Sequence, residues 1–307
     1  MKIEMTKISK AFFGTPVLEG VDFSIESGEV RALLGENGAG KTTLMNILYG
    51  FYEKDGGNIY IDGEEVAIDS PKTALEHGIG MVHQHFQLVE TLTVGETITL
   101  GLKEEGYPFS NRKRINRCIL DLSSQYGLEV DPKRWIKNLS VGERQRVEIM
   151  KLLYRSAKIL ILDEPTAVLS PPEIETFFEV LNQLKAAGHG IVIITHKIKE
   201  VEQISDRVTV LRDGHCVLNC NLKETDESCL SKAMIGRTLK KREREIRQFD
   251  VGKPCLELQN VTVCKDKLNV LDSFSLNLAP GEIVGVAGVD GNGQQELAEA
   301  IIGIQEV

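Results

Sequence analysis

Eight consecutive residues carry the densest chemical signal in this chain: GENGAGKT, residues 35–42, a full match to the pattern G-x-x-x-x-G-K-[ST]. Glycines at this spacing let the backbone curl until successive amides face one anion. The apolar run Ala32-Leu33-Leu34 ends a strand before the loop, and TTLMNIL (42–48) opens a helix whose positive end faces the same place. Lys41 is placed to set a point charge on the β- and γ-phosphates of a nucleoside triphosphate, and Thr42 to offer a hydroxyl to Mg²⁺. Gly35, Asn37, Gly38, Gly40, Lys41, Thr42 and Thr43 are the candidate ATP-binding residues.

A second stretch, KILILDEP (158–165), carries two acids at the end of an apolar run. A buried strand of this kind delivers Asp163 to its C-terminal end, where ligands bind in open α/β sheets. Asp163 is the candidate to hold Mg²⁺ through its shell, and Glu164 to orient or deprotonate an attacking water. Two acids can also simply cap a strand; the phosphate loop upstream favours the chemical reading.

Further stretches narrow the class. NLSVGERQRVEI (138–149) resembles the L-S-G-G-Q signature of ABC transporter ATP-binding subunits, with Arg144, Gln145 and Arg146 on the helix that follows. IVIITHK places His196 just past a strand, where that family keeps its switch histidine, and MVHQHF places Gln84 at the family's Q-loop. Phe12, in SKAFFG, stands where the family stacks an aromatic on adenine. Alone, a histidine after a strand or an aromatic near the N-terminus is more often structural; the order and spacing of all of them over 1–235 carries the resemblance. It implies an α/β P-loop NTPase fold of the ABC type, with an antiparallel β part and a helical subdomain inserted at about 84–155. It implies Ser140 and Gly142 as contacts to the γ-phosphate of a nucleotide held by a facing domain. It implies Glu164, His196 and Gln84 as the catalytic set, and Thr42, Gln84 and Asp163 around the metal. ATP hydrolysis would be coupled to solute movement through integral membrane permease subunits, and through them to a substrate-binding protein, at the cytoplasmic face of the membrane. GENGAGKTTLMNILYG, GMVHQHFQLVETLTVGE and DEPTAVLSPPE are similar to the fused-duplex importers of simple sugars and nucleosides.

The elements that must position these residues are legible as alternating strands and helices. Strands are expected at 2–8, 17–25, 30–34, 58–61, 79–82, 158–163, 190–195, 207–212 and 215–219. Helices are expected at about 40–49, 71–77, 94–101, 111–126, 142–155, 171–187, 197–204 and 226–235. KILILD and IVIIT lack polar alternation, which marks central strands of a parallel sheet. Composition is ordinary for a globular chain, with 42% hydrophobic and 26% charged residues. The net charge of −9 argues against a nucleic-acid partner. No apolar run reaches the roughly 18 residues of a membrane span. Six cysteines are scattered; the pair Cys216 and Cys220 has no second pair or histidine motif beside it, so reduced structural cysteines are expected rather than a metal site.

The sequence also repeats itself at an unbroken offset of 253 residues: Ile3 matches Leu256, Gly28-Glu29 matches Gly281-Glu282, and Gly35, Gly38 and Gly40 match Gly288, Gly291 and Gly293. The expected layout is a complete domain at 1–235, a charged linker at 236–254 and the start of a second, degenerate domain at 255–307. In the second copy Lys41 becomes Gln294, Thr42 becomes Gln295 and Phe12 becomes Lys265. The first signature also departs from the pattern, with Val141 and Glu143, and Ser170 stands where many family members have Asp. If Glu143 faces a phosphate, like charges about 4 Å apart cost roughly 4 kcal/mol; its side chain can instead point elsewhere. A complete hydrolytic site then needs a second signature, from a second ABC domain in cis or a homodimer. Two other readings stay open: an ATP-binding regulatory fragment without turnover, and a cytosolic ABC ATPase outside transport.

Overall fold

The computed structural model describes residues 1–84, 86–102, 112–236, 254–265, 268–288 and 291–305. The chain divides into two compact units, Met1–Leu239 and Lys240–Val307.

The first unit opens with strands β1 (Lys2–Phe12), β2 (Thr15–Glu26) and β3 (Val30–Leu34), then helix α1 (Lys41–Leu48), β4 (Gly56–Ile61), β5 (Glu64–Val66), α2 (Pro71–Glu76) and β6 (Ile79–Val82). Helices α3 (Val94–Thr99), α4 (Arg112–Tyr126) and α5 (Val141–Tyr154) follow, with no strand between them among the described residues. The chain then returns to alternation with β7 (Ile159–Asp163), α6 (Pro171–Ala186), β8 (Gly190–Thr195), α7 (Ile198–Ile204), β9 (Arg207–Arg212), β10 (His215–Asn221) and α8 (Glu227–Ile235). Among the described residues no helix is long and apolar enough to cross a membrane.

Two sheets result. One is antiparallel, in the order β2-β1-β4-β5; the other runs β10-β9-β3-β8-β7-β6, parallel except for β10 against β9. β3, β7 and β8 are buried at every residue, as strands covered on both faces must be. Ile161, Val192 and Ile194 pack with α1 and the antiparallel sheet, while Leu160, Leu162 and Ile193 pack with α5 and α6. Alternate residues of one strand thus anchor both layers. The sheet's C-terminal edge, where β3 and β7 end, is held from both sides.

The sequence-based element bounds agree within a few residues, with two instructive differences. β1 and β2 meet through a two-residue turn at Phe13-Gly14, both at positive φ, so β1 extends to Phe12. β5 is not expected from the sequence pattern, because Glu64-Glu65-Val66 has no apolar alternation. Its signal is the turn: Asp62-Gly63, both at positive φ, is the dipeptide of a two-residue hairpin. Ser70 caps α2 as its chemistry requires, with its hydroxyl accepting from the Thr73 amide at 3.2 Å.

In the second unit, β11 (Leu256–Lys265) and β12 (Leu268–Leu278) pair antiparallel, and α9 (Gln294–Ile301) packs Leu297 on Val263 and Leu271. The counterparts of β3, residues 283–287, are not a strand. β3 is hydrogen-bonded between β8 and β9, and the second unit's described residues contain no counterpart of either. Of the linker read at 236–254, Gly236 closes α8 at φ 76° and Pro254 precedes β11, while 237–253 lie outside the described residues.

Leu160 is fully buried within the central strand β7. Leu160→Ala is expected to lower the unfolding free energy by about 2–5 kcal/mol, read by urea denaturation. A loss below about 1 kcal/mol would contradict its central place.

Candidate active site

The loop between β3 and α1 is shaped by its own backbone. Gly40 sits at φ 98°, and a Cβ there would stand 2.6 Å from Leu18 Cδ2 and 3.0 Å from the Val17 carbonyl oxygen. At Gly35 a Cβ would lie 2.4 Å from the Leu211 carbonyl oxygen. Neither position accepts a side chain without movement of β2 or β9. Lys41 is buried, and its ammonium donates to the carbonyls of Gly35 at 2.8 Å and Glu36 at 2.9 Å. The lysine therefore spans its own loop and holds it curled. Burial lowers its pKa, opposed by the nearby carboxylates of Glu164 and Asp163. Asn37 and Thr42 are exposed along the loop, as is Gly38, and Thr43 is half-buried.

β7 brings the acids to this loop. Thr42 Oγ1 donates to Asp163 Oδ2 at 3.2 Å. Burial pushes the Asp163 carboxyl above its ordinary range, a shift the Thr42 hydroxyl opposes. Glu164 leaves the strand at φ 45°, a left-handed conformation that costs on the order of 1 kcal/mol for a non-glycine residue. Its amide donates to the Ile194 carbonyl at 3.0 Å, which fixes the turn to β8. The turn aims the Glu164 carboxylate at two partners: His196 Nδ1 lies 3.1 Å from Oε1, and Gln84 Nε2 donates to Oε2 at 3.3 Å. Gln84 comes from just past the end of β6 and His196 from the end of β8, so three neighbouring strands converge on one carboxylate.

Some predicted residues stand apart from that cluster. Ser140 caps α5, its hydroxyl accepting from the Glu143 amide at 3.3 Å while its own amide donates to Glu143 at 2.8 Å. Gly142, in the first turn, is buried against Glu173. Both belong to α5, and neither is bonded to the loop at 35–42 among the described residues. Phe12 is half-buried at the end of β1, edge-on to Tyr52 with ring centres 5.2 Å apart and with the Lys10 ammonium 5.5 Å from its ring centre. Phe13, in the turn, is fully exposed.

Glu143 takes the second of the two courses open to it. It is ion-paired with Arg134, which donates to both carboxylate oxygens. Burial works against the charge, but the Ser140 amide and the Arg134 guanidinium hold its pKa below the usual carboxylate value. Its charge is thus met inside the first unit.

Several supports were not foreseen. Gln145, nearly buried, donates from Nε2 to the Pro165 carbonyl at 2.8 Å, tying α5 to the segment after Glu164. Lys197, beside His196, donates to the carbonyl and hydroxyl of Thr166 and to Glu200. Thr166 Oγ1 donates to Glu200 as well, at 2.5 Å. The available signal for Gln145 is its place on the inward stripe of α5, where a polar residue needs a partner. Ser170 begins α6 and closes locally on Glu173 through its amide at 2.8 Å and hydroxyl at 2.6 Å.

A glycine loop with a buried lysine, followed by a hydroxyl bonded to an aspartate at the end of a central strand, defines the P-loop NTPase class. The comparisons narrow it. A family profile described as ABC transporter matches residues 18–167. The guanosine import ATP-binding protein NupO of Bacillus subtilis (strain 168) is 45% identical over 305 residues, covering 99% of this chain and 60% of that protein. The glucose import ATP-binding protein TsgD13 of Haloferax volcanii is 42% identical over 335 residues, again 99% and 60%. The solved structure of cbiO1 from Clostridium perfringens, part of the ABC transporter complex cbiONQ, superposes with a TM-score of 0.64 at 30% identity, covering 72% of this chain and 89% of that one. The chain belongs to the ABC transporter family of ATP-binding proteins. It spans about 60% of the length of these curated import relatives.

Asp163 binds its proton more tightly folded than unfolded, so its contribution to stability is greatest at acid pH and is lost as pH rises through the raised folded pKa. Asp163→Asn, which removes the buried charge, is therefore expected to raise the thermal midpoint at pH 7, measured without nucleotide or metal. The gain should shrink toward zero as the pH falls to the ordinary carboxylate range. A variant less stable than the parent at pH 7 would refute the assignment.

Proposed function

We propose that this chain is the ATP-binding and ATP-hydrolysing part of an importer of simple sugars or nucleosides, working with integral membrane permease subunits at the cytoplasmic face of the membrane. The observation that carries the reading is the convergence on Glu164. One carboxylate, set beside the phosphate loop, is gripped by a histidine from one strand end and a glutamine from another.

The loop amides and Lys41 bind the triphosphate, and Phe12 carries the adenine. Binding requires Lys41 to exchange the two loop carbonyls for phosphate oxygens, a short rotation of a side chain already aimed into the cradle. Thr42, Asp163 and Gln84 suit a divalent cation: a hydroxyl and a buried carboxylate 3.2 Å apart, the latter's charge penalised by burial and relieved by a cation beside it. Mg²⁺ bound there would neutralise charge on the phosphate oxygens. Glu164 takes or orients the proton of the attacking water, and His196 holds Glu164 in place. Ser140 and Gly142, apart from this cradle, serve the nucleotide of a second ABC domain, in cis or in a homodimer. A substrate-binding protein would deliver the solute to the permeases.

The importer relatives support the transport class, since NupO and TsgD13 are named as import ATP-binding proteins. The degenerate second cradle, with Gln294 and Gln295 for Lys41 and Thr42, supports one hydrolytic and one inactive site in the assembled pair.

The purified chain alone is expected to bind MgATP and turn it over slowly, and to accelerate when a cassette with an intact signature is added. Lys41→Ala should weaken ATP binding by about 10- to 100-fold, the loss of a charge-assisted bond. Glu164→Gln should leave ATP affinity nearly unchanged and slow hydrolysis by roughly 100-fold or more. Undiminished binding by Lys41→Ala, measured by calorimetry, would defeat the proposal.

A further inference from the structure

Helix α5 carries a second buried polar residue that the site described above does not use. Glu148 is 3% exposed, among the buried Val147, Ile149, Leu152 and Leu153 of α5. A carboxylate in such surroundings persists only when its oxygens are occupied. One oxygen accepts the backbone amide of Gln87 at 3.0 Å, across 61 residues of sequence. The other is ion-paired with Lys151, one turn along the helix. His83 and Tyr49, edge-on to each other at 5.9 Å, stand close to the same pair.

Gln87 lies three residues after Gln84 on the loop that leaves β6. Gln84 is exposed and reaches Glu164 through a single bond of 3.3 Å. Its own side chain therefore does little to fix where it stands. Two described side-chain bonds tie this loop to α5. Arg144 donates to Glu90 at 3.1 Å, an exposed pair six residues beyond Gln84. The Gln87 amide on Glu148 is the nearer of the two and the less exposed, its acceptor being buried. The same helix is pinned at Gln145 to the Pro165 carbonyl, just past Glu164, and begins at Ser140. One rigid rod thus contacts the loop of Gln84, the turn of Glu164 and the signature.

We propose that Glu148 is a positioning residue: by accepting the Gln87 amide it sets the reach of Gln84 toward Glu164, so that the geometry of the hydrolytic carboxylate follows the seat of α5. The inference rests on the role given to Gln84 and Glu164 above. An apolar residue at 148 would leave the amide of Gln87 without its partner and the loop free to withdraw.

The test uses the full chain, supplied with a cassette carrying an intact signature, and four variants: Glu148→Ala, Glu148→Gln, Gln84→Ala and the double variant Gln84→Ala/Glu148→Ala. Glu148→Ala is expected to lower kcat for ATP by roughly 10- to 100-fold, the scale of an ångström-sized misplacement, with KM nearly unchanged. Glu148→Gln, which keeps an oxygen for the Gln87 amide, should recover most of the turnover. Adding Glu148→Ala to Gln84→Ala should cause no further loss, because both act through one side chain. Hydrogen exchange at the Gln87 amide should quicken in Glu148→Ala and not in Glu148→Gln. A kcat unchanged in Glu148→Ala while Gln84→Ala is impaired overturns this proposal alone. So does a double variant whose losses multiply, or a Gln87 amide no faster in Glu148→Ala, whatever the turnover. If Gln84→Ala itself hydrolyses ATP normally, the role of Gln84 fails and this inference falls with it.

Discussion

The structure turns on how an acidic chain keeps a site for a polyanion. With a net charge of −9, attraction must come from groups fixed at short range. Lys41 and the amides of its loop are the groups proposed for that task. The lysine bonds the carbonyls of Gly35 and Glu36, so its own loop is kept curled before any ligand arrives. Pre-shaping of this kind removes part of the entropy that ordering a glycine loop would otherwise cost on binding. The fully buried β3 and the packed α1 then hold both ends of the loop, and a methyl group at Gly40 would already collide with Leu18.

Much of this was readable from residue order. The loop, the acids of KILILDEP and the alternating strands and helices each follow from local chemistry, and their bounds agree to within a few residues. What escaped was of two kinds. β5 has a single apolar residue, Val66, too little for an alternation to show, so only its Asp-Gly turn betrays it. The supports Gln145, Glu148 and Lys197 act through partners 20, 61 and 31 residues away. Such partnerships are created by packing, and a single sequence shows only that a polar residue sits on an inward face. Glu143 illustrates the limit from the other side. The sequence left its direction open, and Arg134, nine residues earlier, decides it.

The two copies of the repeat show what the loop's glycines do by themselves. Gly38 and Gly40 at φ 86° and 98° match Gly291 and Gly293 at 84° and 90°, and a helix follows in both cases. The backbone turn is therefore a property of the local sequence and survives the loss of lysine and threonine. The strand before it is not: Val30–Leu34 is fully buried between two neighbours, while Ile283 is 96% exposed. A parallel strand exists only where a neighbour pairs with it.

That dependence has a consequence for biogenesis. Both neighbours of β3 come from late in the first unit, β8 at Gly190–Thr195 and β9 at Arg207–Arg212. A nascent chain emerging from the ribosome presents Val30–Leu34 and the loop long before anything can flank them. Until about 180 further residues have been translated, the apolar strand is a hazard for premature aggregation, and chaperones would find their target there. The strand that anchors the phosphate loop is therefore completed only near the close of synthesis of the first unit.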